Sequence, residues 1–157
     1  MRYIVTEMFE NWLGESGLTI SRVAIVGGST LDPEFIEVKR LFPNVEVDIF
    51  GIENSQNEIA FHFLDLNRDQ IKDSDIYDLV LCSQVLEHVW NLENAFACLN
   101  ALTKPAGYLW LACPASNMPH GSPDYYSAGY TCNFLANNLE LRNYAIVTGK
   151  QIGRAHV

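Results

Sequence analysis

Residues 77–89 read YDLVLCSQVLEHV, and the run continues through a helical stretch to Pro114. Tyr77, Leu79, Val80, Leu81 and Cys82 form a nearly unbroken apolar run. That is the pattern of a parallel strand covered by helices on both faces. The polar pair Ser83-Gln84 ends it. Ligands of open α/β sheets lie beyond the carboxyl ends of the strands, so this break faces a ligand site. Leu92, Ala95, Phe96, Leu99 and Leu102 then repeat at helical spacing, behind Asn91 as a capping residue. Lys104-Pro105-Ala106-Gly107 stops the helix, and a strand Tyr108–Cys113 comes at once. Strand, helix and strand over this length make a right-handed βαβ unit.

Working outward, Met8, Phe9, Trp12 and Leu13 place an amphipathic helix within Thr6–Leu18, to pack on the sheet or to shield the ligand site. Arg22–Val26 is the first strand and Gly27-Gly28-Ser29-Thr30 the turn after it. Asp32-Pro33 starts the next helix, which carries Phe35, Val38, Leu41 and Phe42 on one face. A strand, a glycine turn and a helix N-terminus form the front of a nucleotide-type site, because glycine lets the backbone approach a ligand and the first helical N–H groups face it. Val45–Gly51 is the second strand, ending in Gly51-Ile52-Glu53. A carboxylate there offers two acceptors to a pair of vicinal hydroxyls. Ile59–Leu66 is the third strand. His62 within it reads as a core or edge histidine, and Asp65 at its end also suits a turn cap. Beyond Pro114 the chain is rich in Pro, Gly, Ser and Asn, hence a loop, then a helix over Thr131–Leu139. Tyr144–Val147 begins a sixth strand. Alternating strands and helices predict a mainly parallel α/β sheet with Arg22–Val26 central.

The chain has 157 residues and a net charge of −9. That length supports one domain with a sizeable core. The acidic balance argues against a polyanionic partner, so no nucleic acid is expected. No apolar run approaches the roughly 20 residues that span a bilayer, and the N-terminus has no signal-peptide core. Cys82, Cys98, Cys113 and Cys132 show no CxxC spacing and read as small apolar residues in a reducing cytoplasm. The oligomeric state cannot be read. Ile152–Val157, IGRAHV, matches the translation of a common sequencing-adapter run. The expectation is that residues 1–151 form a single domain, that residues 152–157 are read-through, and that the biological protein continues further.

The stretch YDLVLCSQVLEHV…NAFACLNALTKPAGYLWLACP resembles the middle of a class I S-adenosylmethionine-dependent methyltransferase, small-molecule type. Ala106 stands where the family's first glycine of a Pro-Gly-Gly sits. The resemblance spans Arg22–Tyr144 and implies a Rossmann-like, mainly parallel sheet with helices on both faces, its final strands missing or incomplete. It implies S-adenosyl-L-methionine as cofactor. Gly27, Gly28 and Ser29 would form its glycine turn, although Ser29 and Leu31 replace two family glycines and Ile25 the usual acid. Glu53 would hold the ribose, Asp65 and the Leu66 backbone the adenine, and Ser83 and Gln84 would lie beside the sulfonium. His88 is a candidate general base, its ordinary pKa suiting neutral pH. Gln84 stands where metal-binding relatives carry an acid, so no metal is expected. His120, Tyr125 and Tyr126 would line the acceptor pocket. The implied reaction is in-line methyl transfer to a small-molecule acceptor. A catalytically silent methyltransferase-like module and an NAD(P)-binding oxidoreductase are the alternatives, the latter weakened by the absence of GxGxxG.

Overall fold

The computed structural model describes residues 2–72 and 76–113, and beyond Cys113 residues 120–121, 126–127, 135, 137 and 144–147. In chain order the elements are α1 (Arg2–Glu15), β1 (Arg22–Val26), α2 (Pro33–Leu41), β2 (Glu46–Gly51), β3 (Phe61–Phe63), β4 (Tyr77–Ser83), a 3-10 turn (Leu86–His88), α3 (Leu92–Leu102), β5 (Thr103–Ala112), β6 (His120–Gly121), β7 (Tyr126–Ser127) and β8 (Tyr144–Val147). Six strands form one sheet in the order β3-β2-β1-β4-β5-β8, every pair parallel. β1 is central, and the strand order reverses between it and β4. β8 is a true sixth strand, with Leu109 opposite Tyr144.

The period-2 alternation of each strand divides the core into two layers. Val23, Ile25, Leu79, Leu81 and Trp110 pack under α1 and α2 with Phe9, Leu13, Phe35 and Val38. Ala24, Val26, Val80, Cys82, Leu109 and Leu111 pack on the opposite face, under α3 with Phe96, Leu99 and Leu102. Leu135, a helical residue within the expected Thr131–Leu139 segment, is fully buried in that second layer. α1 docks through aromatic contacts. Phe9 meets Trp110 edge-on at 4.9 Å and Trp12 stacks on it at 5.5 Å, geometries each worth about 1 kcal/mol beyond burial.

Four sequence expectations need correction. α1 starts at Arg2 and stops at Glu15 rather than running over Thr6–Leu18, because the Ser16 hydroxyl bonds back to the Leu13 carbonyl and Gly17 turns left-handed at φ 65°. The third strand is three residues long, not Ile59–Leu66. It is an edge strand, and its flanks are taken up by turns around Asn54 and Asp65. His62 sits at that edge with Nε2 2.9 Å from Asp48 Oδ1. The helix at α3 is ended by the Thr103 hydroxyl on the Leu99 carbonyl. The strand after α3 begins at Thr103 rather than Tyr108, and Lys104–Gly107 bulge out of it between Tyr77 and Leu79 of β4. Asn91 caps α3 as expected, accepting from the Asn94 N–H at 3.3 Å.

Asp78 ties the amino ends of three strands together. Its buried carboxylate accepts the Ser21 N–H (2.9 Å), the Ser21 hydroxyl (2.7 Å) and the Arg22 N–H (2.9 Å), and pairs with Lys104. Burial pushes this carboxyl up. The Lys104 ammonium and the Ser21 and Arg22 donors more than offset that and hold it well below the usual carboxylate range. A carboxylate lowered by folding contributes stability that is present above its unfolded pKa, about 3.9, and lost as pH falls through the folded value. Asp78→Ala is therefore expected to cost about 3 kcal/mol, because buried donors lose a charged acceptor. Urea unfolding at pH 7 checks this, and the gap to wild type should shrink below about pH 4. Ala106, which holds φ 62° in the bulge, predicts the opposite sign. Ala106→Gly relieves about 1–2 kcal/mol of left-handed strain, less the entropy a glycine adds to the unfolded chain. A raised melting temperature is the expected result.

Candidate functional site

β1, β2 and β4 all end at one edge of the sheet, and the turns that leave them converge there. Gly27 leaves β1 at φ 70° and donates its N–H to the Phe50 carbonyl of β2 at 2.7 Å. A β-carbon at Gly27 would lie 2.6 Å from Val85 Cγ2 of the turn after β4. At Gly28 a β-carbon would run into the Asp32 carboxylate and approach Ile25 Cγ2 to 2.9 Å. Both glycines are thus required, the first by conformation and space, the second by space alone. Asp32 is the N-cap of α2, but its side chain does not cap the helix. It reaches back to accept the Ser29 N–H at 3.0 Å and holds the glycine turn closed.

The loop after β2 is fastened to this turn. Glu58 accepts both the Thr30 N–H (2.8 Å) and hydroxyl (2.6 Å), while Asn54 exchanges two hydrogen bonds with the Glu58 backbone. Between the two walls lies a cavity of about 330 Å³ lined by Gly27, Gly28, Ser29, Asp32, Gly51 and Glu53. A second cavity of about 440 Å³ shares Gly27, Gly28 and Asp32 with it. It continues past Glu34, Ser83, Gln84 and Ala112 to Val5 of α1. The two are halves of one crevice wrapped around the glycine turn, of a size suited to a small ligand. Gln84 bounds it in a left-handed conformation (φ 58°), its N–H donated to the Ala112 carbonyl at 2.7 Å. Strain of this kind persists where the surroundings over-determine it, and it clusters at ligand sites.

Of the residues expected from sequence, the crevice brings together Gly27, Gly28, Ser29, Glu53, Ser83 and Gln84. It does not bring in Asp65 or Leu66. The Asp65 carboxylate is engaged in its own turn, accepting the Asn67 N–H at 2.9 Å, with Arg68 at 3.8 Å. Leu66 is buried in the α3-side core. His88 is exposed on the 3-10 turn, which β7 lies against. His120 and Tyr126 belong to the β6–β7 hairpin, where Gly121 opposes Tyr126, so part of the expected loop is paired backbone. Tyr125 lies outside the described residues, as does Cys132. Cys82, Cys98 and Cys113 are buried thiols without a disulfide, and burial pushes Cys82 up, making it unreactive. Among the described residues no His, Cys, Asp and Glu group could hold a metal ion, and no helix is long and apolar enough to cross a membrane.

Sequence reasoning missed Asp32, Glu34, Glu58 and Val5. Glu34 was within reach, since an acid two residues into a helix that succeeds a glycine turn must lie near whatever the turn binds. Glu58 and Val5 become visible only when the loop and α1 are folded over the sheet. The acids give the crevice its character: Asp32, Glu34 and Glu53 line it, and no Lys or Arg does among the described residues.

The chain is similar to known proteins in sequence and in fold. The sequence model of a family described as a methyltransferase domain matches residues 27–145. The ubiquinone biosynthesis O-methyltransferase of Rickettsia prowazekii (strain Madrid E) is 26% identical, over 68% of this chain and 44% of its own length. The O-methyltransferase of a trans-AT PKS multienzyme of Brevibacillus brevis, solved with S-adenosyl-L-homocysteine, superposes with a TM-score of 0.55. It is 20% identical, over 78% of this chain and 46% of its own. An S-adenosylmethionine-dependent methyltransferase from Mesorhizobium loti gives a TM-score of 0.56 at 12% identity, over 85% of this chain and 80% of its own. The chain thus spans under half the length of the Rickettsia and Brevibacillus proteins.

Gly27 and Gly17 hold nearly the same φ (70° and 65°), but a β-carbon at Gly17 meets open space. Gly17→Ala should therefore cost only left-handed strain, about 1–2 kcal/mol. Gly27→Ala should cost a further 1–3 kcal/mol, roughly, for the overlap with Val85. Thermal melts of the two variants side by side measure that difference.

Proposed function

The chain belongs to the family of methyltransferase domains, and from that premise we propose that it binds S-adenosyl-L-methionine in the crevice around Gly27 and methylates a small-molecule acceptor. The observation that carries this reading is the charge of the crevice. In a dinucleotide site the pyrophosphate sits at the N-terminus of the helix after the first strand. Here that position holds the carboxyl groups of Asp32 and Glu34, with no Lys or Arg beside them among the lining residues. Like charges at this range are costly, whereas a cationic sulfonium cofactor is attracted. The nicotinamide alternative is disfavoured on that ground.

When bound, the cofactor would supply a methyl group on a cationic sulfur, the acceptor's lone pair bonding to that methyl in line as the carbon–sulfur bond breaks and the sulfur leaves as a neutral thioether. The chain's residues hold and align. Glu53, beside Gly51 at the end of β2, offers two acceptor oxygens to the vicinal ribose hydroxyls. Gly27 and Gly28 let the backbone come close. Ser83 and Gln84 border the reacting end, and Val5 of α1 closes it off from water. Alignment of this sort supplies about 7–11 kcal/mol in intramolecular models. His88 stands on the turn that faces the β6–β7 hairpin, the side from which an acceptor enters, and is proposed as the base where the acceptor needs one. Asp65 spends Oδ1 on the Asn67 N–H, and its Oδ2 is proposed to accept the adenine amino group.

Calorimetry with S-adenosylhomocysteine and with NAD tests the reading, together with transfer of a labelled methyl group from S-adenosylmethionine. Binding of the first alone is the expected outcome. Binding of NAD alone would overturn it, and cofactor binding without transfer to any acceptor would favour the silent module. Glu53→Ala should weaken S-adenosylhomocysteine by about 1–3 kcal/mol. An unchanged affinity in a folded variant would remove Glu53 from the site.

A further inference from the structure

We infer that Glu34 is the residue that receives the α-ammonium group of the cofactor's amino-acid moiety, and so sets the preference of this site for a nucleoside that carries a free amino-acid arm. The inference rests on the cofactor reading above and goes beyond it, to a residue outside the glycine turn and the strand ends. Glu34 lies in the first turn of α2 and is only 6% exposed. Its one hydrogen bond among those described is a long one, from the Ser83 hydroxyl at 3.4 Å. No cation pairs with it among the described residues, although Glu37, three residues on, is paired with Arg40. It lines the 440 Å³ half of the crevice, the half that also holds Gly28, Ser83, Gln84 and Ala112. A void of about 10 Å³ beside it, bounded by Ile25, Val26, Gly28, Asp32, Leu81 and Ser83, is too small for more than a single water.

A carboxylate almost removed from water gains most from a cation that brings its own hydrogen-bond donors. A primary ammonium has three donors, whereas a sulfonium has none. Glu53 lines the 330 Å³ half but not the 440 Å³ half. A nucleoside anchored at Glu53 would therefore lay its amino-acid arm past Gly27 and Gly28, toward Glu34. Asp32 is committed to the Ser29 N–H and Ile25 is apolar and buried, which leaves Glu34 as the acidic group at that end.

The experiment measures Kd by calorimetry for three ligands: S-adenosylhomocysteine, its deaminated analogue without the ammonium, and S-adenosylmethionine. The purified chain and the isosteric Glu34→Gln variant are compared. Wild type should prefer S-adenosylhomocysteine to the deaminated analogue by about tenfold or more, the loss of a charged hydrogen bond. In Glu34→Gln that preference should collapse to about twofold, closing a thermodynamic cycle on the one contact. Equal affinities for the two ligands in wild type would overturn the assignment without any variant, so a poorly folded Glu34→Gln does not shelter it. A preference that survives in Glu34→Gln would overturn it too. A loss confined to S-adenosylmethionine would place the carboxylate against the sulfonium instead. A wild-type chain that binds none of the three would overturn the cofactor reading itself, and this inference with it.

Discussion

A single buried carboxylate, that of Asp78, holds the starts of β1, β4 and β5 in one place. Parallel strands have no hairpin to set their register, so something else must fix which residue faces which. Asp78 does this by accepting two backbone N–H groups and a hydroxyl from Ser21 and Arg22 while pairing with Lys104. With the amino ends aligned, Val23 faces Leu79 and Leu79 faces Tyr108. The carboxyl ends then finish level, and the turns at Gly27 and Gln84 meet across the crevice. The polar cluster at the bottom of the sheet thus acts together with the buried apolar pattern of the strands in aligning the turns at the top.

At the top, the constraints are steric and electrostatic together. Val85 occupies the space a side chain at position 27 would need, and Asp32 occupies the space beside Gly28. Asp32 spends its side chain on the glycine turn rather than on its helix, so the turn is held by the same residue that begins α2. The loop carrying Glu53 is pinned to that turn through Glu58 and Thr30. What results is a preorganised, acidic crevice with backbone amides and carboxylates at fixed positions. Fold alone would not tell one chemistry from another on such a sheet. It is the sign of the charge, set by three acids with no Lys or Arg among the described lining residues, that discriminates.

Most of the sheet was legible because its strands are buried on both faces and read as apolar runs. β1 and β4 are the cases in point. β3 was misjudged because an edge strand needs no such run. Ile59 and Phe63 are apolar yet exposed, and periodicity counts them as core. The lining of the candidate crevice was legible where glycine and strand-end position mark it, at Gly27, Gly28, Glu53, Ser83 and Gln84. It was illegible where a role depends on which of two bonds a side chain prefers. Asp65 could cap a turn or face a ligand, and the structure shows one of its oxygens taking the Asn67 N–H of the turn. Asp32 begins α2 as its N-cap, as expected, but its side chain accepts the Ser29 N–H rather than a helical one.

The strand order has a consequence for how the chain assembles. β1 pairs on one side with β2, some two dozen residues away in register, and on the other with β4, 56 residues later, from Arg22 to Asp78. During synthesis the segment α1 to β3 can form half a sheet while the β4 edge of β1 stays bare. That edge is apolar on both faces, Ala24 and Val26 on one and Val23 and Ile25 on the other. Until the ribosome delivers β4, it is a template for wrong partners. Loop closure over such a distance also makes folding slow relative to a helical bundle of the same size. The nascent half-sheet is therefore where a chaperone would have most to hold.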